Sequence, residues 1–592
     1  MSLLTVAFLS ALALGAGYVL YGSLLKRLFR VDGAAKTPAQ EFRDDIDYIP
    51  TSPKYLLGQH FSAIAAAGPI VGPILAGLMF GWVPALIWIV VGSIFIGGVH
   101  DFGALVASVR HKARSIAEII REHMSRRSYM LFLAFVWLTI VYIIVAFTDI
   151  VATSFVGTQT LESGVTVTGG GIASSSMIYL ALPIVMALLM RYAKLGLAAA
   201  TAIFLPLVGV AIWAGQYIPL DLAKMLGITD VNAVKVWDVL LLAYCLVASV
   251  VPMWILLQPR GHLGGYFLYA ALAAGVLGIV FGGRTAEYPA FKGWSSAAGE
   301  PMLPLLLITV ACGACSGFHA LVASGTTSKQ LRSELDAKPI AYGAMILEAL
   351  VAVVSLSCLM MLKSDAQPLR GAPSPNLIYG FGMCNFLGLV GVPAAFGISF
   401  ALLAFTTFVY DTLDVSTRLG RYILQELTGW QGRFGRWVAT AMTAGVPLFF
   451  VTQKAVDAKD NAIPAWKVFW SLFGASNQLL AALTLMGLTV WLARTRRAWW
   501  VWFVTGVPTA IMYVMSGWAL LRSVRAGFFD AEGNLRKAVP SASTVVALVL
   551  VVLAAVLLIE MVIALTRKRE PAAGHAPAGV LSAEASAADP KP

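Results

Sequence analysis

The hydrophobic positions of this chain form long runs that are separated by short polar segments. The run from Tyr55 to His100 holds 46 residues without one Asp, Glu, Lys or Arg. Because about 20 apolar residues cross a bilayer as a helix, this run is long enough for two crossings with a turn at Gly81–Pro84. The whole pattern predicts an all-α polytopic membrane protein with about 15 transmembrane helices, near residues 3–25, 59–80, 84–108, 130–157, 177–190, 195–217, 239–257, 265–281, 302–322, 340–362, 386–411, 437–452, 468–491, 498–520 and 542–566.

The predicted span 59–80 carries two Gly-Pro pairs at its centre, Gly68-Pro69 and Gly72-Pro73. Proline removes a helix hydrogen bond and glycine weakens the helix further. In lipid the freed carbonyl groups need partners, so such a break persists only inside protein or beside a wet cavity. Broken helices hold substrates and ions in secondary transporters, whereas the simpler alternative is a kink in a packed helix. We therefore take these four residues as candidates for substrate or ion binding.

Composition and charge support the membrane assignment and add an orientation. Of the 592 residues 59% are hydrophobic and 12% are charged, against about 25% charged in soluble domains. When alternate loops are assigned to opposite sides, one side holds 29 of the 42 Lys and Arg residues. The richer side is cytoplasmic, which puts the N-terminus outside and the C-terminus in the cytoplasm. This asymmetry accounts for the net charge of +12 without a nucleic-acid partner.

The predicted loops are too short for a soluble domain, and no Gly-x-x-x-x-Gly-Lys-Ser/Thr phosphate loop is present. The energy for any pumping must therefore come from an ion or substrate gradient, and we expect a proton or a sodium ion as the coupling ion, with no cofactor and no resident metal. We divide the chain into a first transmembrane helix with its cytoplasmic loop (1–58), a transporter core with broken helices (59–411), C-terminal transmembrane helices (412–566) and a disordered cytoplasmic tail (567–592).

Carboxyl groups inside or at the ends of predicted spans are the candidates for proton coupling. An ionisable group in a membrane is costly and suggests function by default. Removal from water disfavours the charged form of a carboxyl group, which suits a proton carrier. The alternative is a structural pair with arginine or with the backbone. The candidates are Glu348 and Asp149 within spans, and Asp101 and Asp411 at span ends.

Histidines and hydroxyl side chains form a second group of candidates, for substrate or ion binding and for proton relay. His60 and Ser62 begin the broken span, and His319 lies in a stretch of small and hydroxyl residues from Cys312 to Lys329. That stretch favours either close helix packing or a polar cavity. Its hydroxyl candidates are Ser316, Ser324, Thr326 and Thr327.

Asn477 and Gln478 are adjacent in the predicted span 468–491. Neighbouring residues point to different faces of a helix, so at least one of the two amides must meet protein or water. A hydrogen bond between helices and a contact with substrate explain this pair equally well.

Five strings of this chain carry a family resemblance, and together they extend in order over most of the predicted spans. They are Gly58–Pro73, Cys312–Lys329, Gly343–Glu348, Asp411–Glu426 and Phe473–Ala481. In these strings the chain resembles the carbon starvation protein A family of bacterial inner-membrane transporters.

The resemblance implies uptake of pyruvate or short peptides with protons during carbon starvation. It also implies a place in the amino acid–polyamine–cation superfamily, with a LeuT-like core of two inverted five-helix repeats. If the span 59–80 is the first core helix, we expect the sixth at 239–257, where Ser249–Pro252 offers a second break, and the eighth at 302–322.

The sequence thus favours a secondary active transporter for small carboxylates or short peptides, driven by protons. One rival is a membrane-embedded hydrolase or metalloenzyme that uses His60, His100, Asp101 and His319, although His-Glu-x-x-His and Gly-x-Ser-x-Gly motifs are absent. The other rival is a channel or a sensor. We expect no catalytic residues, and the substrate and the oligomeric state stay open at this point.

Overall fold

The computed structural model describes residues 1–566 apart from 45–47, 161–165, 253, 371–373, 431, 454–463, 531–532 and 537–540. The predicted tail at 567–592 lies outside the described residues. The described part is almost wholly helical, and its one two-stranded sheet pairs β1 (Thr158–Thr160) with β2 (Thr166–Thr168) in antiparallel register. The predicted all-α membrane class is confirmed.

The helices that build the fold follow one another along the chain, with one-turn helices at Pro38–Glu41 and Leu222–Leu226 between them. In chain order they are α1 (Leu3–Leu28), α2 (Pro53–Ile64), α3 (Gly68–Phe80), α4 (Trp82–Arg110), α5 (Ile116–His123), α6 (Arg126–Ser154), α7 (Gly169–Tyr192), α8 (Leu197–Tyr217), α9 (Asp230–Val250), α10 (Leu257–Phe281), α11 (Met302–Val310), α12 (Gly317–Val322), α13 (Glu334–Met360), α14 (Pro375–Gly388), α15 (Ala394–Thr428), α16 (Gly432–Thr452), α17 (Ala465–Arg496), α18 (Trp502–Phe528) and α19 (Ala542–Thr566).

The count of membrane spans agrees with the sequence. Within the described ranges, 14 segments are long and apolar enough to cross a membrane, counting α11 and α12 together as Met302–Thr327. The bent pair α2–α3, whose axes differ by 46°, makes a fifteenth. The element that the hydrophobic pattern missed is α14, which lies partly in the predicted outer loop 363–385. Its 14 residues rise only about 21 Å, too little to span the hydrocarbon core.

The predicted break in the first core helix is present. Helix α2 ends at Ile64 and α3 begins at Gly68. A Cβ atom on Gly68 would lie 2.4 Å from Cβ of Cys312, and one on Gly72 would lie 2.5 Å from the carbonyl oxygen of Thr309. Glycine is needed at both positions because α3 packs against the Cys312 side chain at Gly68 and directly against the backbone of α11 at Gly72.

The second broken span is 302–327, not the expected 239–257. Helix α11 ends at Val310, one 3-10 turn covers Ala311–Gly313, and α12 begins at Gly317. The Ser249–Pro252 segment instead closes α9 and starts the link to α10. Counting five spans from the first break failed because the hairpin of α7 and α8 is inserted between the third and fourth core helices.

With that hairpin set aside, the core consists of two five-helix repeats. The first contains α2–α3, α4, α6, α9 and α10, and the second contains α11–α12, α13, α15, α16 and α17. The two broken helices pack on each other, and so do α4 with α13, α6 with α15, and α9 with α16. Contacts between corresponding members are expected when two repeats are related by a two-fold axis. Helices α18 and α19 pack outside α17.

We expect Gly72→Ala to lower the melting temperature of the purified protein in detergent. The new methyl group meets the carbonyl oxygens of Thr309 and Val310 at 2.5 and 2.7 Å, and overpacking against backbone costs about 1–3 kcal/mol. The matched control is Gly209→Ala in α8, where nothing lies within 4 Å. The control is expected to melt at or above the wild-type temperature because alanine favours a helix. Equal melting of both variants would contradict the close approach.

Candidate functional site

A cavity of about 380 Å³ lies between the broken helices and the long helix α15. Four predicted residues line it, namely Ser62, Ser324, Thr326 and Asp411. Its wall also includes polar and charged side chains that the sequence analysis did not select: Gln59, Ser115, Gln258, Lys329, Gln330, Arg418, Tyr422 and Glu426. The segments around its mouth belong to the loop set that is richer in Lys and Arg.

Asp411 belongs to a buried cluster of charges at one wall of this cavity. Its Oδ2 accepts a hydrogen bond of 2.6 Å from Ser62 Oγ, and its Oδ1 accepts one of 2.7 Å from Arg260 Nε. Arg260 Nη1 lies 2.6 Å from Asp414 Oδ2, which also accepts a 2.9 Å bond from Tyr244 Oη. One guanidinium thus joins two carboxylates, and this charge cluster connects α2, α9, α10 and α15.

The structure corrects the positions of Asp411 and Arg260. Asp411 does not close a span, because α15 continues to Thr428 and Asp411 lies at its middle. Arg260 falls in the predicted loop between the spans 239–257 and 265–281, but it lies within α10 and is fully buried. Its neighbours Pro259 and Gly261 interrupt the apolar pattern. The pattern therefore predicted a loop where the structure has a buried arginine in a helix. Asp414 and Tyr244 were likewise missed as partners of this arginine.

A second buried network joins three predicted residues. Asp101 Oδ2 lies 2.8 Å from His319 Nδ1, and Glu348 Oε2 lies 3.2 Å from His319 Nε2. The other oxygen of Asp101 lies 2.7 Å from Nδ1 of His100. All four side chains are fully buried, and they connect α4, α12 and α13. Asp101 is thus not at a span end, since α4 continues to Arg110.

The contacts of His319 restrict where its protons lie. A carboxylate accepts hydrogen bonds, so Nδ1 of His319 donates to Asp101. In a neutral ring Nε2 would then carry a lone pair. A lone pair facing an ionised carboxylate at 3.2 Å is repulsive, so a proton on either His319 Nε2 or Glu348 stabilises this contact. The arrangement therefore suits a pair that holds and releases one proton.

His60 and Thr327 connect the two broken helices. His60 Nδ1 lies 2.9 Å from Oγ1 of Thr327, in the π-helical turn Ala323–Thr327 that extends α12. Nε2 of His60 is buried and has no hydrogen-bond partner among the described residues. The residues predicted from the start of the first break and from the Cys312–Lys329 stretch are thus brought together.

Asn477 and Gln478 contact both halves of the second break. Asn477 Oδ1 accepts hydrogen bonds from the Phe318 N–H at 3.0 Å and from Ser316 Oγ at 3.3 Å. Gln478 Nε2 donates to the carbonyl of Leu307 at 2.5 Å. The sequence left open a hydrogen bond between helices and a contact with substrate. The contacts of Asn477 and Gln478 are hydrogen bonds between helices, and Ser316 takes part in them.

The remaining predicted residues do not line the cavity. Pro69 and Pro73 are buried in α3 beside Gly68 and Gly72, at the contact between the two breaks. Asp149 accepts a hydrogen bond of 2.7 Å from the Trp466 N–H at the start of α17. It therefore caps the N-terminus of a helix, apart from the network around His319.

Two broken helices in paired five-helix repeats, a cavity beside them and buried titratable groups together define a multi-pass membrane protein of the secondary-transporter class. Residues 1–374 and 366–519 match the family described as carbon starvation protein CstA, and the chain belongs to this family. The expected family is thereby confirmed.

Two relatives and one solved structure illustrate what the chain is similar to. The peptide transporter CstA of Campylobacter jejuni is 30% identical over 561 residues, covering 84% of this chain and 77% of that protein. The pyruvate/proton symporter BtsT of Escherichia coli is 28% identical and covers 85% of this chain and 78% of that protein. A manganese transporter of Eremococcus coleocola superposes with a TM-score of 0.48 at 13% identity, covering 87% and 94% of the two chains.

We expect Arg260→Met to destabilise the protein strongly, because it leaves Asp411 and Asp414 buried without their cation. Removing one partner of a buried ion pair costs about 3–5 kcal/mol. The measurement is the loss of the monodisperse peak in fluorescence-detected size-exclusion chromatography after heating.

Two variants make this test specific. Arg522→Met removes a pair with Glu300 that is 40% and 48% exposed, and such surface pairs contribute about 1 kcal/mol or less. Adding Asp411→Asn and Asp414→Asn to Arg260→Met is expected to restore part of the lost stability. Wild-type melting of Arg260→Met alone would show that the charge cluster does not stabilise the fold.

Proposed function

We propose that this protein is a proton-coupled secondary active transporter that imports small carboxylates, such as pyruvate, or short peptides across the bacterial inner membrane. The observation that carries the proposal is the buried contact of His319 with Asp101 and Glu348, because it joins a titratable site to a broken helix. The named relatives, a peptide transporter and a pyruvate/proton symporter, support both the substrate classes and the coupling ion.

The cavity has the size and the charges for such substrates. Its volume of about 380 Å³ lies within the range of small-molecule sites. Lys329 and Arg418 provide positive charge for a carboxylate, and Asp411 and Glu426 provide negative charge for the amino terminus of a peptide. Pyruvate would use the cations alone, whereas a peptide would use both signs.

The position of His319 on a broken helix supports proton coupling. Protonation of the His319–Glu348 contact changes the attraction between α12 and α13. Helix α12 continues through the turn that carries Ser324 and Thr326 into the cavity wall. A proton bound at Glu348 therefore acts on the wall of the substrate cavity through one short segment. This gives the two sites the common structural element that coupling requires.

The orientation is part of the proposal. The charge asymmetry of the loops supports a cavity mouth on the cytoplasmic side, with the N-terminus outside and the C-terminus inside. The described conformation is then inward-facing, and import requires a second state in which α2 and α12 close this mouth.

The deciding experiment is uptake into proteoliposomes with competition by pyruvate, lactate, alanine and dipeptides. Saturable uptake driven by an imposed proton gradient is expected, with alkalinisation of the external medium as protons enter the vesicles with the substrate. Uptake that follows a sodium gradient and ignores a protonophore would replace the proton by sodium. Linear, non-saturating flux would indicate a channel, and binding without flux would indicate a sensor.

We expect Glu348→Gln to abolish accumulation of substrate against its gradient while substrate exchange continues. Glutamine fills the same space but carries no titratable proton, and exchange needs no net proton movement. The loss of gradient-driven uptake should be about tenfold or more, the usual size of coupling between two sites. The measurement is proton-driven uptake and counterflow in the same vesicles.

Asp149→Asn is the matched control for the other intramembrane candidate. Its carboxylate caps α17, so the variant is expected to lose stability and keep proton-driven uptake in the fraction that folds. If Glu348→Gln accumulates substrate with the wild-type pH dependence, Glu348 is not the coupling residue. If Asp149→Asn alone loses the coupling, that role belongs to Asp149.

A further inference from the structure

We infer that His111, Glu122 and His123 form a binding site for a divalent transition-metal cation such as Zn²⁺, at the end of α4 and the end of α5. One possible ligand atom from each residue lies within 4.8 Å of the other two. The site is separate from the buried network around His319, and the transport proposal does not depend on it. Imidazole nitrogens with a carboxylate oxygen are the ligands that zinc prefers.

The two imidazole rings are nearly perpendicular, at 86°, and already bring their Nε2 atoms together. His111 Nε2 lies 2.9 Å from His123 Nε2. Two imidazole nitrogens on a tetrahedral zinc ion, each bonded at about 2.0–2.1 Å, are about 3.3 Å apart. The rings would therefore separate by only about 0.4 Å to admit the ion.

The tautomer of His111 is the one that a metal needs. Its Nδ1 lies 2.6 Å from the carbonyl oxygen of Ala107. A carbonyl only accepts, so Nδ1 carries the proton and Nε2 presents its lone pair towards His123. A histidine that donates its second nitrogen to a backbone carbonyl is the usual arrangement of a metal ligand. His123 Nε2 therefore donates this hydrogen bond. To bind the cation through Nε2, the neutral His123 ring would move that proton to its own Nδ1.

The backbone after His111 is strained in a way that brings its ring to α5. Lys112 and Ala113 both have positive φ, 60° and 54°, a conformation that non-glycine residues adopt only at an energetic cost. Ala113 N–H donates to the backbone carbonyl of Ser108 at 2.8 Å, and Ser108 Oγ donates to the carbonyl of Arg114 at 2.7 Å. This tight turn holds His111 beside the end of α5, where partly buried His123 and exposed Glu122 complete the set.

A cation at this site would fasten α5 to α4. Ser115, which precedes α5, and the first two residues of α5, Ile116 and Ala117, line the cavity. The site therefore lies at the opposite end of a helix whose start lines the cavity. The remaining coordination position would be open to water, as in sites with three protein ligands.

The test measures zinc alone on purified full-length protein that carries no polyhistidine tag. After washing with chelator, the protein is titrated with Zn²⁺, and bound metal is determined by mass spectrometry and calorimetry. One zinc ion per chain is expected, together with a rise in melting temperature because the ion binds only the folded state. Both His111→Gln and Glu122→Gln are expected to weaken binding about tenfold or more.

Two controls are matched to these variants. Glu118→Gln removes an acid of the same helix outside the group, and His262→Gln removes a histidine of α10 that bonds to Thr201. Both are expected to bind zinc as the wild type does. Absence of stoichiometric zinc, or equal binding by wild type and His111→Gln, would show that the two rings share a proton and nothing more. Because Glu122 is exposed, Glu122→Gln gives a folded variant even if His111→Gln does not.

Discussion

The structure depends on one constraint, which is that backbone groups released by a broken helix must find partners where no water reaches them. Both repeats contain such a break, and the two breaks lie against each other. Glycines at positions 68 and 72 let the backbones approach to contact. Amide side chains of α17 then bind the exposed N–H and carbonyl groups of the second break, and Ser355 donates to the carbonyl of Ile70 at 2.7 Å. Side chains of neighbouring helices thus stabilise the two breaks.

The buried charges follow from the same arrangement. A lone ionised group would cost several kcal/mol in this environment, yet Asp101, Asp411 and Asp414 each have a cationic or protonatable neighbour. The cluster around Arg260 has two carboxylates for one guanidinium, and it joins the first broken helix to the long helix α15. The network around His319 joins the second break to α4 and α13. Each broken helix therefore takes part in one buried electrostatic contact, and the strength of that contact depends on the protonation of its carboxyl groups.

The hydrophobic pattern alone predicted all fifteen spans. A helix that crosses a bilayer needs about 20 apolar residues, and few other structures need an apolar run of that length. It also led to Glu348, Asp101 and His319, since charge in an apolar run is conspicuous. It did not show α14, which is too short to register as a span, nor the burial of Arg260, which flanking proline and glycine made resemble a loop. The second break was misplaced because the inserted pair α7–α8 has the same hydrophobic pattern as core helices.

The sequence by itself determined the membrane class, the number of spans, the first break and the family, since these rest on local composition and on the order of motifs. Only the tertiary structure decided which spans belong to the two repeats, which broken helix faces which, and which charges meet. His60 and Thr327 are 267 positions apart along the chain, and His319 and Asp101 are 218 apart. Such pairs are set by helix packing in three dimensions, and no period or spacing along the chain encodes them.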